Sequence, residues 1–163
     1  MVFAYAMEES MAAEGIMEGK DGIICYTRDV NYYETDRMGI VHHSNYIRYF
    51  EEARIDMLHE KGLDYATVEE RGIMIPVLFV ECEYVKPLRF GDTFRVECHF
   101  ANYRGLKFEV FYEIYDEKSG ELCTTGKSGH CFVYPDMKPV RMKRDFPDIH
   151  EMLCMESGKN NNP

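Results

Sequence analysis

The sequence predicts an α+β fold in which an antiparallel β-sheet wraps around one long α-helix. One amphipathic helical stretch of about four turns follows the first strand-like segment. Four longer segments with period-two alternation come after it, and the short turns between them favour antiparallel pairing. Because one helix cannot cover both faces of such a sheet, we expect the remaining face and edges to favour self-association.

The composition is that of one globular domain. The chain has 163 residues, of which 45% are hydrophobic and 13% aromatic, and it has a net charge of −10. This apolar content excludes a mainly disordered chain, and the acidic balance argues against a nucleic-acid-binding protein. No apolar run approaches the roughly 18–20 residues of a membrane span, and the N-terminus lacks the basic region of a secretory signal.

The six cysteines show no C-x-x-C spacing and no regular pattern. They are not typical of a zinc ribbon or a thioredoxin-like site. We therefore expect a cytoplasmic protein in a reducing compartment, with no metal ion.

We divide the chain into three parts. Residues 1–21 form an N-terminal extension that we expect to be mobile, residues 22–150 form the domain, and residues 151–163 form a C-terminal tail whose last seven residues are polar. The first strand is predicted over residues 22–30, which are rich in β-branched and aromatic side chains. A loop follows over residues 31–43.

The central helix is predicted to begin after this loop. Ser44 or Asn45 is a suitable N-cap, and Gly62 is suitable for the residue after the helix end. The apolar side chains between them repeat at helical spacing and form one stripe: Tyr46, Phe50, Ala53 and Met57. A second short helix is predicted over residues 65–71.

Four strands are then predicted from alternating apolar residues. They begin near residues 78, 94, 106 and 121. In the last strand, Gly126 and Gly129 indicate β-bulges or places where another group approaches the backbone closely.

The segment richest in chemical groups lies just before the central helix. It places Asp36, Gly39 and His43 close to the helix start. A helix start offers unpaired N–H groups and a partial positive charge, which can stabilise an oxyanion while a carboxylate acts on the carbonyl carbon. Acyl transfer needs a base or nucleophile and oxyanion donors, but it needs no metal.

This segment resembles the signature of the hotdog-fold acyl-CoA thioesterases of the 4-hydroxybenzoyl-CoA thioesterase type. The matching residues are Tyr33, Thr35, Asp36, Gly39, Val41, His43, Asn45, Tyr46, Phe50, Glu51, Ala53 and Arg54. A turn over residues 86–92 also has a counterpart in that family. The resemblance covers roughly residues 22–150, and both termini lie outside it.

The resemblance implies a hotdog fold and hydrolysis of an acyl-CoA, or of an acyl carrier protein thioester, to a free carboxylic acid. No cofactor is implied, since CoA is part of the substrate and the product. The active site of the family lies at a subunit interface, so the resemblance also implies a homodimer or a homotetramer.

The resemblance assigns Asp36 as the catalytic carboxylate, acting as nucleophile or as general base. It implies that His43 orients the substrate or helps to stabilise the oxyanion, together with backbone N–H groups near His43 and Ser44. Glu34 stands where many relatives have a second aspartate, which leaves Asp36 in register. The residues expected to contact the substrate are Gly39, Ser44, Asn45, Tyr46, Lys86 and Arg89, the last two through the phosphates of CoA.

Each assignment has a structural alternative. Asp36 could form an Asx turn before Gly39, Asn45 could be only a helix cap, and Tyr46 could be only part of the apolar stripe. Lys86 and Arg89 could be solvated surface charges. A metal site built from Asp36 and the two histidines at 42 and 43 is disfavoured, because adjacent side chains seldom point the same way.

Two other functions remain open. A hotdog hydratase or dehydratase has a similar site, but the hydratase pattern places four residues between Asp and His, whereas six separate Asp36 from His43. The His-Phe-Pro stretch of the dehydratases is also absent from the sequence. A non-catalytic acyl-CoA-binding protein would need no carboxylate beside the thioester.

Overall fold

A computed structural model describes residues 17–18 and 23–160 and confirms the α+β architecture. In chain order the elements are β1 (Met17–Glu18), β2 (Ile24–Asp29), α1 (His43–Glu60), α2 (Tyr65–Glu70), β3 (Val77–Tyr84), β4 (Thr93–Ala101), β5 (Lys107–Asp116), β6 (Leu122–Cys131), α3 (Met142–Asp145) and α4 (Pro147–Asn160). The predicted N-terminal extension, residues 1–21, lies outside the described residues except for the two residues of β1.

The strands form one antiparallel sheet in the order β1-β2-β4-β5-β6-β3. The apolar stripe of α1 packs on the inner face of this sheet, as predicted, and its four side chains are almost completely buried. The alternating residues of β4 and β5 form the other side of the core: Phe94, Val96, Cys98, Phe100, Phe108, Val110, Tyr112 and Ile114. Helix α1 therefore lies across the inner face of the sheet, and its start contacts the end of β3.

The predicted N-cap of α1 was wrong. The helix begins at His43, and the cap is His42, whose ring Nδ1 accepts a hydrogen bond from the Ser44 N–H at 3.3 Å. A neutral imidazole can accept a hydrogen bond as a Ser or Asn oxygen does, so the helix starts earlier than the usual cap residues indicate. The other end is as predicted, because Gly62 follows the C-cap Lys61 with a φ of +73°.

The expected C-terminal tail does not hold for residues 151–160, which continue α4. This helix packs on β4 and buries Ile149 and Leu153. Near its end the Ser157 Oγ accepts a hydrogen bond from the Tyr103 N–H at 3.1 Å. Tertiary packing thus stabilises a helix that was not predicted from the sequence.

Strand β3 lies at one edge of the sheet. It was predicted with one buried face, but Val77, Leu78, Phe79 and Val80 are each 37–50% exposed. In the described part of the chain, no strand pairs with the outer edge of β3. The molecule therefore presents an exposed apolar edge strand, which is unusual for a monomer.

Both glycines of β6 are places of close approach, as predicted. A Cβ at Gly126 would lie 2.3 Å from the ring of Phe50, and one at Gly129 would lie 2.1 Å from the ring of Phe79. Among the described helices, none is long and apolar enough to span a membrane.

Candidate active site

Asp36 lies in a tight turn just before α1. The turn is closed by a β-bridge between Thr35 and Val41, and the Asp36 N–H donates to the Ile40 carbonyl at 2.9 Å. The Gly39 N–H donates to the Asp36 carbonyl at 2.9 Å, and Gly39 has a φ of +72°. A glycine is needed here because other residues rarely adopt this left-handed conformation.

The Asp36 side chain stabilises the turn and also faces the cleft. Its Oδ1 accepts a hydrogen bond from the Met38 N–H at 2.7 Å, which is the Asx turn considered as an alternative. Within the described residues, no hydrogen bond reaches Oδ2. One carboxylate oxygen therefore fixes the side chain while the other is free to act on a substrate.

The cleft beside Asp36 has a volume of about 260 Å³. Its walls are the turn, the start of α1, the end of β3 and the segment after β3. The lining residues are Asp36, Met38, Ile40, Val41, His43, Tyr46, Tyr84, Val85, Lys86 and Pro87. Four of the residues predicted from the sequence are thus brought together, namely Asp36, His43, Tyr46 and Lys86.

The start of α1 supplies one unused backbone donor to this region. The Ser44 N–H is directed to the His42 ring, and the Asn45 N–H donates to the His42 carbonyl at 2.9 Å. Among the described residues, no acceptor is found for the His43 N–H. The Tyr84 hydroxyl donates to the His43 carbonyl at 3.1 Å and so ties the end of β3 to the helix start.

Tyr46 forms the buried wall of the cleft. Its hydroxyl accepts a hydrogen bond from the Leu88 N–H at 3.3 Å, and its ring packs edge-on against Tyr84 at 5.3 Å. Burial raises the pKa of the Tyr46 hydroxyl above its ordinary value, so it stays protonated at neutral pH. Tyr46 therefore belongs both to the apolar stripe and to the cleft lining.

Four of the residues predicted to contact the substrate do not line the cleft: Gly39, Ser44, Asn45 and Arg89. Ser44 is exposed, with its Oγ 2.8 Å from the His42 Nδ1. Asn45 is buried, and its side-chain amide donates to the Glu34 carbonyl at 2.7 Å.

Gly39 and Arg89 meet each other outside the cleft. The Arg89 Nη1 donates to the Gly39 carbonyl at 3.2 Å and so braces the Asp36 turn. Lys86 does line the cleft, and it also pairs with the exposed Glu121.

A buried ion pair behind the turn was not predicted from the sequence. The Glu34 carboxylate accepts hydrogen bonds from Arg28 at 2.6 and 3.1 Å and from the Asn31 N–H at 2.7 Å. Burial raises the pKa of Glu34, but these hydrogen bonds outweigh burial and hold the pKa below its ordinary value. Period-two counting from Ile24 and Tyr26 already places Arg28 on the inner face of β2, where a cation needs a partner.

No three His, Cys, Asp or Glu side chains in the described ranges are placed to bind one metal ion. The arrangement instead offers a free carboxylate oxygen, a backbone N–H at a helix start and an apolar wall. These are the groups that acyl transfer needs.

The chain is similar to known proteins over most of its length. Residues 30–151 match the model of the thioesterase-like superfamily. YneP of Bacillus subtilis, provisionally named an acyl-CoA thioesterase, is 37% identical over 123 residues, which cover 75% of this chain and 88% of YneP.

Two solved structures are also similar at more than 30% identity. The DHNA-CoA thioesterase from Staphylococcus aureus has a TM-score of 0.79 and 36% identity, covering 84% of this chain and 92% of that chain. A hypothetical protein from Aquifex aeolicus has a TM-score of 0.72 and 36% identity, covering 79% of this chain and 98% of that chain.

Proposed function

The chain belongs to the thioesterase-like superfamily, and from this premise we propose that it hydrolyses acyl-CoA thioesters to a free carboxylic acid and CoA. The observation that supports this most strongly is the free Oδ2 of Asp36 in a cleft that also contains the start of α1. The names of the similar proteins point to the same class of substrate. The similar acyl-CoA and DHNA-CoA thioesterases also confirm the predicted classification as a thioester hydrolase.

The chemistry follows from the two sides of the cleft. The thioester carbonyl would lie between Asp36 and the start of α1. Asp36 then attacks the carbonyl carbon, or it takes a proton from a water molecule that attacks the same carbon. The negative charge that develops on the carbonyl oxygen accepts a hydrogen bond from the His43 N–H.

The tetrahedral intermediate then collapses. The C–S bond breaks, and the thiolate of CoA leaves and takes up a proton. If Asp36 attacks directly, a water molecule hydrolyses the resulting anhydride and returns the carboxylate. Both routes release one free acid and one CoA for each water consumed. The exposed His43 side chain at the cleft would orient the thioester.

The CoA portion of the bound substrate is proposed to extend out of the cleft past Lys86. This side chain lines the cleft and is exposed, so its charge can reach a phosphate group. Arg89 is also exposed but is committed to the Gly39 carbonyl, so its contribution would be mainly to hold the turn. An acyl carrier protein would present a phosphopantetheine arm to the same opening.

We further propose that two copies associate through the exposed edge of β3. The four apolar residues at the start of this strand would be covered by the same strand of the partner. Because Tyr84 at the other end of β3 lines the cleft, such a dimer would bring partner residues close to the substrate.

The proposed function is tested by measuring thiol release from a range of acyl-CoA substrates. The series contains acetyl-, 4-hydroxybenzoyl-, medium-chain and long-chain acyl-CoA. Release of thiol from at least one of them is expected. Loss of enoyl absorbance from crotonyl-CoA without thiol release would instead identify a hydratase, and binding without either change would identify a non-catalytic binding protein.

A further inference from the structure

His42 caps the start of α1 with its imidazole ring. The Ser44 N–H donates to the His42 Nδ1 at 3.3 Å, and the Ser44 Oγ lies 2.8 Å from the same nitrogen. A neutral imidazole has one nitrogen that accepts a hydrogen bond and one that donates, whereas both nitrogens donate in the protonated ring. The cap therefore exists only while Nδ1 carries no proton.

The peptide group that joins His42 to His43 carries the proposed oxyanion donor, the His43 N–H, and it is held on both sides. The His42 N–H donates to the Glu34 carbonyl at 2.8 Å, and the Asn45 N–H donates to the His42 carbonyl at 2.9 Å. The Tyr84 hydroxyl donates to the His43 carbonyl at 3.1 Å. Of the groups that fix this peptide, an imidazole ring is the kind that changes protonation between about pH 5 and 8.

The first turn of α1 contains no acidic side chain that could replace this cap. The N–H groups at a helix start have no partner within the helix, and loss of a side-chain cap destabilises the first turn. Asn45 is a residue of the usual capping type, but its side-chain amide donates to the Glu34 carbonyl instead. Among the described residues, His42 therefore provides the side-chain cap of α1.

The segment before α1 supplies two carboxylates, and neither forms an ion pair with His42. Glu34 pairs with Arg28, and the Asp36 Oδ1 accepts a hydrogen bond from the Met38 N–H. Within the described residues, a protonated His42 ring would therefore have no carboxylate partner. It would also lie at the positive end of the helix dipole, where a cation is unfavourable.

The end of β3 and the segment after it contribute a hydroxyl and a cation at the cleft. The hydroxyl is that of Tyr84, and the cation is Lys86, which pairs with the exposed Glu121. On α1 itself, the His43 ring lies 4.1 Å from the His42 ring, measured between ring centres. Protonation of His42 would thus remove the cap acceptor and place a positive charge beside a second histidine ring.

Resting on the hydrolysis proposed above, we infer that His42 is a positioning residue whose neutral ring holds the first turn of α1 with the His43 N–H at the cleft. Protonation of the ring releases this turn and lowers the rate of hydrolysis. His42 does not line the cleft, so it acts through the backbone of His43 and touches no reacting atom. Activity should therefore fall on mild acidification, at a pH where carboxylates generally remain ionised.

Thiol release from the best acyl-CoA of the series is first compared at pH 7.5. His42→Ala removes the cap, and kcat should fall about 10-fold with KM changed less than about 2-fold, because a displaced oxyanion donor acts on the transition state. His42→Asn restores a cap acceptor that does not titrate, so kcat should return to within about 3-fold of the wild type. His59→Asn is the matched control, because His59 is exposed near the other end of α1 and should leave kcat unchanged.

The dependence of kcat/KM on pH distinguishes this positioning role from a purely structural one. Between pH 7.5 and pH 5.5 the wild type should lose about 5-fold, whereas His42→Asn and His42→Ala should each lose less than about 2-fold. His43→Asn should keep the wild-type loss, because the ring of His42 is still present. A loss that disappears in His43→Asn and persists in His42→Asn would overturn the inference.

Exchange of the Ser44 amide proton with solvent tests the cap without any reaction. Measured by NMR at pH 7.5, this proton should exchange about 5-fold faster in His42→Ala than in the wild type, and His42→Asn should restore the slower rate. Equal exchange in the three proteins would overturn the inference even in an active enzyme.

These measurements separate the inference from the proposed function. A wild type that releases thiol with the same pH dependence as His42→Asn overturns the inference and leaves the hydrolysis proposal intact. A wild type that releases no thiol from any acyl-CoA overturns the hydrolysis proposal, and the Ser44 exchange then decides by itself whether the His42 ring holds the helix start.

Discussion

At the scale of single residues, Asp36 combines a structural and a chemical role. One oxygen holds the turn through the Met38 N–H, and the other faces the cleft without a hydrogen-bond partner in the described chain. The sequence offered a catalytic carboxylate and an Asx turn as alternatives for Asp36, and the geometry is compatible with both. A carboxylate fixed by one oxygen needs less reorganisation when the other begins to react.

Lys86 provides a prediction at the same scale. If it attracts the phosphates of CoA, Lys86→Ala should raise KM for acyl-CoA about 3- to 10-fold and weaken the dependence of KM on salt. The same acyl group on pantetheine, which lacks the nucleotide, should show no change in KM. Steady-state kinetics with both thioesters measure this. Lys138→Ala is the control, since Lys138 is exposed and pairs with its neighbour Asp136. An equal rise in KM with both thioesters would contradict a contact with the nucleotide.

The site residues that could be predicted are those whose spacing along the chain already places them together. Asp36 and His43 flank a short loop before the helix, so their common cleft follows from local sequence. The sequence could not show whether Asn45 contacts substrate or has a structural role, because its partner is the backbone carbonyl of Glu34. The same holds for the Arg28–Glu34 pair, whose members come from different elements.

At the scale of elements, the Arg28–Glu34 pair joins β2 to the segment that precedes α1. The carbonyl of Glu34 also accepts hydrogen bonds from the Asn45 side chain and from the His42 N–H at 2.8 Å. Arg28 additionally lies 4.7 Å from the ring centre of Tyr49 on α1. Glu34 therefore helps to fix the helix start relative to the sheet, through its carboxylate on the Arg28 side and its backbone carbonyl on the helix side.

The prediction for this pair concerns pH. Because the pKa of folded Glu34 is lowered, its ionised form stabilises the protein above the ordinary Glu pKa of about 4.3. This contribution is lost as the pH falls below that value towards the lowered pKa of the folded state. Glu34→Gln should lower the free energy of unfolding by about 3 kcal/mol at pH 7 and should have a smaller effect at pH 3.

Denaturant unfolding at the two pH values measures the difference. The control is Glu69→Gln on the exposed face of α2, which should match the wild type at both pH values. A Glu34→Gln protein that loses stability equally at pH 7 and pH 3 would contradict the assigned charge.

Helix α1 and strands β4 and β5 could be predicted because their buried faces repeat in the sequence. The start of α1 could not, since a histidine ring serves as its cap. Helix α4 could not either, because its stability comes from Ile149 and Leu153 packing on β4. The prediction for α4 failed because side chains from another part of the chain decide the outcome, whereas the prediction for the start of α1 failed because of an unusual local cap.

At the scale of the whole molecule, the apolar edge of β3 predicts the oligomeric state. Leu78→Glu would place a charge in each half of a symmetric β3 interface, and it should raise the dimer dissociation constant at least about 100-fold. Sedimentation equilibrium measures this constant. Met155→Glu on α4 is the control, since Met155 is 64% exposed and lies far along the chain from β3. A wild-type protein that sediments as a monomer would contradict the proposed interface.

The overall architecture followed from the count of elements, since one helix and four long strands leave few arrangements. The exposure of β3 did not follow from its sequence, because alternation cannot show which strand lies at the edge. That position depends on the sheet order, in which β3 pairs only with β6 among the strands that the structure describes.

The most direct test of the central claim compares thiol release by the wild type and by Asp36→Asn on the best acyl-CoA of the series. Asparagine keeps an oxygen for the Met38 N–H but removes the charge, so the turn should persist. Asp116→Asn is the control, because Asp116 accepts a similar turn hydrogen bond from the Ser119 N–H and does not line the cleft. We predict that kcat/KM falls about 1000-fold or more in Asp36→Asn alone, with an unchanged melting temperature and with mass spectrometry excluding deamidation. Thiol release within a few-fold of the wild type would contradict the assignment of Asp36.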